Sequence, residues 1–171
     1  MIFLTAGGQL PFDRLAALAM ACANALPEES VIYQAGPGGE AWFAQRAAPS
    51  NLTVEAFMTA SSHRALLDEA RWTITHAGMG SILHLLERAR PMLIFPRLQR
   101  HGEHRSDHQL ATAQALHKRY GLAFYTDAEA LVSRLGDAPP RGDNSDTREL
   151  MERRRQSFGR RLQGVLNDWE R

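Results

Sequence analysis

The chain has 171 residues, and its 44% hydrophobic and 23% charged content is that of one soluble globular domain, which excludes a second full domain. No run approaches the ~18 uninterrupted apolar residues of a membrane-spanning helix, since the most apolar stretch, 15–26, carries Asn24. A formal net charge of +1 gives no argument for nucleic acid, and a single cysteine, Cys22, excludes an internal disulfide and a cysteine-based zinc site. The start, MIFLTAGG, has neither a basic region nor a small-residue cleavage site, so a cytoplasmic location is expected.

Short apolar runs alternate with stretches of helical period, the pattern of βαβ units around a parallel sheet. The strands are expected at 2–5, 31–35, 52–57, 72–75, 92–95 and 122–125, giving a Rossmann-like, three-layer α/β domain of about six strands over residues 1–135. The first helix, 12–26, follows Pro11 and places Leu15, Leu18, Ala19, Cys22 and Leu26 on one face. Further helices are expected at 62–71, 79–89, 107–120 and 127–135. Residues 136–146, GDAPPRGDNSD, hold two prolines, two glycines and three aspartates, and read as a linker. Beyond it, 147–171 carries seven arginines against four acidic residues. Its apolar residues Met151, Phe158, Leu162, Val165, Leu166 and Trp169 form one stripe of an amphipathic helix.

Two strands open into glycine turns that lead into helices: Thr5-Ala6-Gly7-Gly8-Gln9 and His76-Ala77-Gly78-Met79-Gly80-Ser81. In an open parallel sheet both fall at the carboxyl edge, where ligands bind near the point at which the strand order reverses. Glycine lets a phosphate approach the backbone, and free N–H groups opening the next helix favour an anion. A Walker loop is excluded because neither turn supplies its lysine. A dinucleotide fingerprint is disfavoured, because Leu83 stands where its third glycine belongs and Gln34 and Ala35 replace its acidic residue.

The segment 96–109, PRLQRHGEHRSDHQ, follows the fifth strand and so lies at the same edge. Its three histidines, His101, His104 and His108, would ligate zinc together only from one helix, whereas Pro96 and Gly102 point to a loop. A loop that hydrogen-bonds a polar ligand, with Arg97, Arg100 and Arg105 supplying positive charge, is the reading carried forward; a solvated surface loop is the bland alternative.

IFLTAGGQLPFDRL, ITHAGMGSILHLLE and PMLIFPRLQRHGEHRSDHQLATA together resemble the C-terminal, donor-binding half of family 28 glycosyltransferases. The resemblance covers about 1–135 and is closer to the free-standing subunits of two-part enzymes. These are the subunit that adds the second N-acetylglucosamine to dolichol-linked oligosaccharide, and bacterial exopolysaccharide transferase subunits. It implies an inverting UDP-sugar transferase without metal or other cofactor, in which Phe57 and Met58 hold the uracil and Gly78, Met79, Gly80 and Ser81 cradle the diphosphate. His76 would stand behind the cradle, with Gly7, Gly8 and Gln9 beside it, while Asp107, His108 and Gln109 meet the sugar hydroxyls. Where relatives place a ribose-binding glutamate this chain has His84, which cannot reproduce a two-oxygen grip.

The resemblance also implies that the acceptor site and base lie on another module: a membrane-associated partner carrying a lipid-linked sugar acceptor, with the helix at 147–171 docking it. His76 or His108 as base is the lesser option, and a scaffold subunit without turnover is the alternative function. The arginines at 97–105 would suit an acidic sugar such as glucuronate, with N-acetylglucosamine or glucose open. Arg97 is the residue expected to meet that sugar.

Overall fold

Five four- or three-residue strands pair side by side, all parallel: β1 (Ile2–Thr5), β2 (Val31–Gln34), β3 (Leu52–Glu55), β4 (Trp72–Thr75) and β5 (Met92–Ile94). This computed structural model describes residues 1–8 and 10–138. The linker and the C-terminal helix expected from the sequence, like Gln9, lie outside the described residues, apart from the linker's first three positions. The strand order is β3-β2-β1-β4-β5, so the order reverses at β1. The two glycine turns therefore leave adjacent strands, as the sequence pattern anticipates.

Strands β1, β4 and β5 are buried on both faces, which is why their sequences run apolar instead of alternating. On one face Ile2, Leu4, Tyr33 and Ile74 pack with α1 (Asp13–Ala25) and α5 (Ala128–Leu135); on the other Phe3 and Ile94 pack with α2 (Ala60–Glu69), α3 (Met79–Glu87) and α4 (His108–Tyr120). Alternation of Cβ along β1 sends consecutive residues into these two cores and makes the three layers. The Asn51 side-chain amide donates to the carbonyls of Ala23, Leu26 and Glu29 at 2.9–3.1 Å, closing the exit of α1.

One expectation is corrected. The sixth strand shrinks to a single parallel bridge, Ile94 with Phe124, flanked by hydrogen bonds from Ile94 N to Ala123 O and from Tyr125 N to Ile94 O. Gly121, in the left-handed region at φ 67°, ends α4 directly before this short run and leaves it only one residue of ladder. Two 3₁₀ turns, Gly39–Phe43 and Gln99–His101, were not anticipated.

Candidate functional site

The turn after β1 is held from beneath by a buried polar chain. Thr5 Oγ1 donates to Gln34 Oε1 (2.7 Å), which leaves its lone pairs for Gly7 N and His63 Nε2, both at 3.3 Å. Gln34 Nε2 in turn donates to Gly7 O and Ala56 O. The residue that disfavoured a dinucleotide site is thus a staple between two loops of the carboxyl edge.

The turn after β4 closes around His76. A Cβ on Gly78 would lie 2.2 Å from His76 Nε2, and one on Gly7, whose φ is +79°, would lie 2.6 Å from Cε1. Only glycine at both positions lets the imidazole sit between the two turns. Burial, then the charge of Arg97, pushes the His76 pKa down to about 4, so the ring is neutral at pH 7 and a weak base. Its Nδ1 is buried with no hydrogen-bond partner among the described residues. Just beyond, Gly78 precedes α3 in extended conformation and no side chain caps the helix. Among the described residues, the first N–H groups of α3 and the positive end of its dipole therefore face the edge without a capping side chain.

Two clefts meet there. One, of about 510 Å³, is lined by Phe57, Met58, His63, Arg64 and His84; the other, of about 470 Å³, by His76, Arg97, His104, His108, Gln109 and Thr112. Gly7, Gly8, Gly80 and Ser81 belong to both and form the shared wall, while Gly78 and Met79 face only the second. Phe57 is 63% exposed at the mouth of the first cleft. His84 Nε2 pairs with Asp68 Oδ1 at 3.0 Å, so the imidazole at the glutamate position of the resemblance is itself oriented by a carboxylate.

The loop after β5 does not behave as its composition suggested. Arg97 is 3% exposed, and its guanidinium donates to Pro11 O (2.7 Å), Ala6 O (2.9 Å) and Leu10 O (2.6 Å) while lying over the Phe12 ring. It clamps the first glycine turn. Gln109 Oε1 accepts from Ala77 N and Arg97 N, tying the turn after β4 to the same loop. Arg14 donates to both Glu103 carboxylate oxygens at 2.8 Å, and Glu103 also accepts from Leu98 N, which fixes the loop from the side.

Asp107 accepts from Gln99 N at the start of α4 and lines neither cleft. Arg100 lines neither cleft as well. His108 Nδ1 meets Ser106 Oγ at 3.1 Å, and its ring stands edge-on to His104 at 4.2 Å. Burial, with the charges of His108, Arg97 and Arg105, lowers the His104 pKa, and His104 Nδ1 is a second buried imidazole nitrogen without a partner. Among the described residues no three His, Cys, Asp or Glu side chains are grouped to hold a metal ion. Nor is any helix among them long and apolar enough to cross a membrane.

Sequence reasoning gave no role to His63, Arg64, His104 or Thr112. The first two share a cleft with Gly80 only because α2 packs on α3, which no local pattern announces. His104 was visible as one of three loop histidines, but its place on the same cleft as His76 depends on how the loop folds back over the sheet edge.

Residues 1–161 match the model of the glycosyltransferase family 28 C-terminal domain. The chain belongs to that family. No curated protein matches the sequence significantly. Among solved structures it is similar to the glycotransferase of kitacinnamycin (21% identity, TM-score 0.61), covering 86% of this chain and 38% of that one. It is also similar to SsfS6 of Streptomyces sp. SF2575, solved with thymidine diphosphate (18% identity, TM-score 0.56, covering 85% and 35%). A third similar structure is ALG13 (18% identity, TM-score 0.56, covering 87% and 93%). The family 28 chain therefore spans about two fifths of the first of these proteins and nearly all of the third, and at these identities the likeness is one of fold.

Proposed function

We propose that this family 28 domain is the donor-binding subunit of an inverting UDP-sugar glycosyltransferase, working at the inner face of the cytoplasmic membrane on a lipid-linked acceptor. The observation that carries the reading is the glycine wall shared by two clefts at the open N-terminus of α3. The diphosphate rests on the N–H groups at Gly80 and Ser81, beside Gly7 and Gly8. The nucleoside enters the cleft of Phe57, Met58, His63 and His84, and the sugar that of His104, His108 and Gln109. Thymidine diphosphate in SsfS6 supports a nucleoside diphosphate as the ligand class.

The chemistry follows from what the walls contain. As the glycosidic bond to the diphosphate breaks, charge builds on the departing phosphate. Fixed N–H dipoles stabilise that charge without reorganising, and need no metal to do so. The acceptor hydroxyl must lose a proton, yet among the described residues no carboxylate lines either cleft, and His76, on the second, has its pKa pushed down to about 4. His76 and His108 are contact groups in this reading. The base and the lipid-linked sugar come from an acceptor-binding, membrane-associated partner, which the segment 147–171 docks; a two-part arrangement like that implied by the sequence resemblance fits this division.

Two assays test the reading. Calorimetry on the full chain should show UDP binding with 1:1 stoichiometry. Transfer of labelled sugar to membrane lipid should appear only when chain and partner are combined; binding without any transfer would favour a scaffold subunit, and no binding would refute the donor-site reading.

A further inference from the structure

The hydrogen bonds beneath the first glycine turn fix which nitrogen of His63 is free to take a proton. His63 reaches from α2 to the end of β1, where its Nε2 lies 3.3 Å from Thr5 Oγ1. That hydroxyl gives its one proton to Gln34 Oε1, and the Gln34 amide nitrogen is spent on Gly7 O and Ala56 O. Thr5 Oγ1 can therefore only accept, from Gly7 N and from His63. The neutral ring carries its N–H at Nε2 and its bare lone pair at Nδ1. Among the described residues no hydrogen bond reaches Nδ1, and the ring lines the first cleft.

Gly7 N and the His63 ring share one oxygen, so an anion beside the first glycine turn stands a single hydroxyl away from the imidazole. The surroundings supply no counter-ion to the ring itself. Strand β1 offers Thr5 and the edge of Phe3, whose ring centre is 5.4 Å away, and β2 offers Gln34 behind Thr5. From α3 comes His84, whose Nε2 is held by Asp68 of α2 at 3.0 Å; the turn after β4 brings His76, and Arg64 follows His63 on α2 along the same cleft. Asp68 is the one carboxylate in this set, and it does not line the cleft. Burial, then the charge of His84, lowers the His63 pKa, so the ring of the free protein is neutral at pH 7. A diphosphate arriving beside it has the opposite effect, because a nearby negative charge favours the imidazolium.

We infer, on the donor-site reading above, that nucleoside diphosphate binding is coupled to protonation of His63. As the diphosphate seats, the ring takes one proton from solvent onto Nδ1, and it returns that proton when the ligand leaves. The sign of the coupling follows from the two states. The free ring has the lower pKa and the ring beside the diphosphate the higher, so protons are taken up between those values and affinity rises as pH falls through that window. His63 thereby makes the first cleft a pH-sensitive anion site, a property no glycine turn has by itself.

Calorimetry with UDP on the full chain at pH 8 and pH 6, for the wild type and His63→Gln, tests the coupling. The terminal phosphate of UDP titrates in the same range and contributes equally to both proteins. Between the two pH values the wild type should gain about threefold or more in affinity beyond the gain of His63→Gln. Equal gains overturn the coupling and leave the UDP site standing, whereas absence of UDP binding by the wild type overturns the donor-site reading with it. A second readout needs only the wild type and so does not depend on the variant folding. In ¹⁵N NMR of the histidine rings at pH 6.5, Nδ1 of His63 should move toward the protonated position when UDP is added, and uridine, which has no phosphate, should leave it bare. A ring that stays bare with UDP bound, or that uridine protonates as fully, overturns the inference.

Discussion

Acidification should destabilise this domain through His76 before its carboxylates begin to titrate. The folded ring has its pKa pushed down from 6.5 to about 4, chiefly by burial between the glycine turns, whereas in the unfolded chain it takes up a proton near 6.5. The folded value is the lower one, so the unfolded state binds more protons between those limits and stability falls as pH drops through that window. At about 1.4 kcal/mol per pH unit, and with protonation of the unfolded chain only starting near pH 6.5, the loss between pH 7 and pH 5 is about 2 kcal/mol. Burial also lowers the pKa of His63, which pushes in the same direction, so the comparison must be with His76→Gln and not with a calculated curve. Urea unfolding followed by circular dichroism at pH 7 and pH 5 gives both slopes. The wild type should lose about 2 kcal/mol more than His76→Gln. Parallel losses in the two proteins would refute the burial of a neutral imidazole between Gly7 and Gly78.

Other consequences are equally direct. Arg97→Met removes three charge-assisted hydrogen bonds and leaves three carbonyls of the first glycine turn unpaired, so it should lower stability by about 3 kcal/mol in urea unfolding; Arg97→Lys should recover less than half. Gly78→Ala forces a methyl to within 2.2 Å of His76 Nε2, and UDP affinity should fall more than tenfold while the circular dichroism spectrum is kept. The Cys22 thiol is buried and its pKa pushed up to about 12, so a thiol reagent should modify it only on unfolding, at a rate that rises with urea. A chain ending at Asp146 should lose co-purification of the acceptor-binding partner and keep UDP binding; retained co-purification would place the docking surface elsewhere.

Much of this fold can be read along the chain because each part of it is local. Apolar runs such as IFLT and WTIT read as strands covered on both faces, and a glycine turn after each places the ligand edge. The run at 122–125 has the same apolar character, yet pairing depends on where Gly121 releases the chain, and only Phe124 forms a bridge. The site divides in the same way. Gly7, Gly8, Gly80 and Ser81 are legible because backbone freedom is written in the residue itself. The use of a charged side chain is not: Arg97 reads as a ligand for an anion until the carbonyls of Ala6, Leu10 and Pro11, 86–91 residues away in sequence, are seen around it. His63 and Arg64 become visible only when α2 is laid beside α3.

The central claim is that backbone amides opening α3, at Gly80 and Ser81, hold a nucleoside diphosphate beside the first glycine turn. Titrating ¹⁵N-labelled protein with UDP and following amide shifts by NMR tests it most directly. The account predicts the largest shifts at Gly7, Gly8, Gly80 and Ser81, with smaller ones at Met58 and His84. Shifts absent from those four amides, or concentrated away from the ends of β1 and β4, would contradict it.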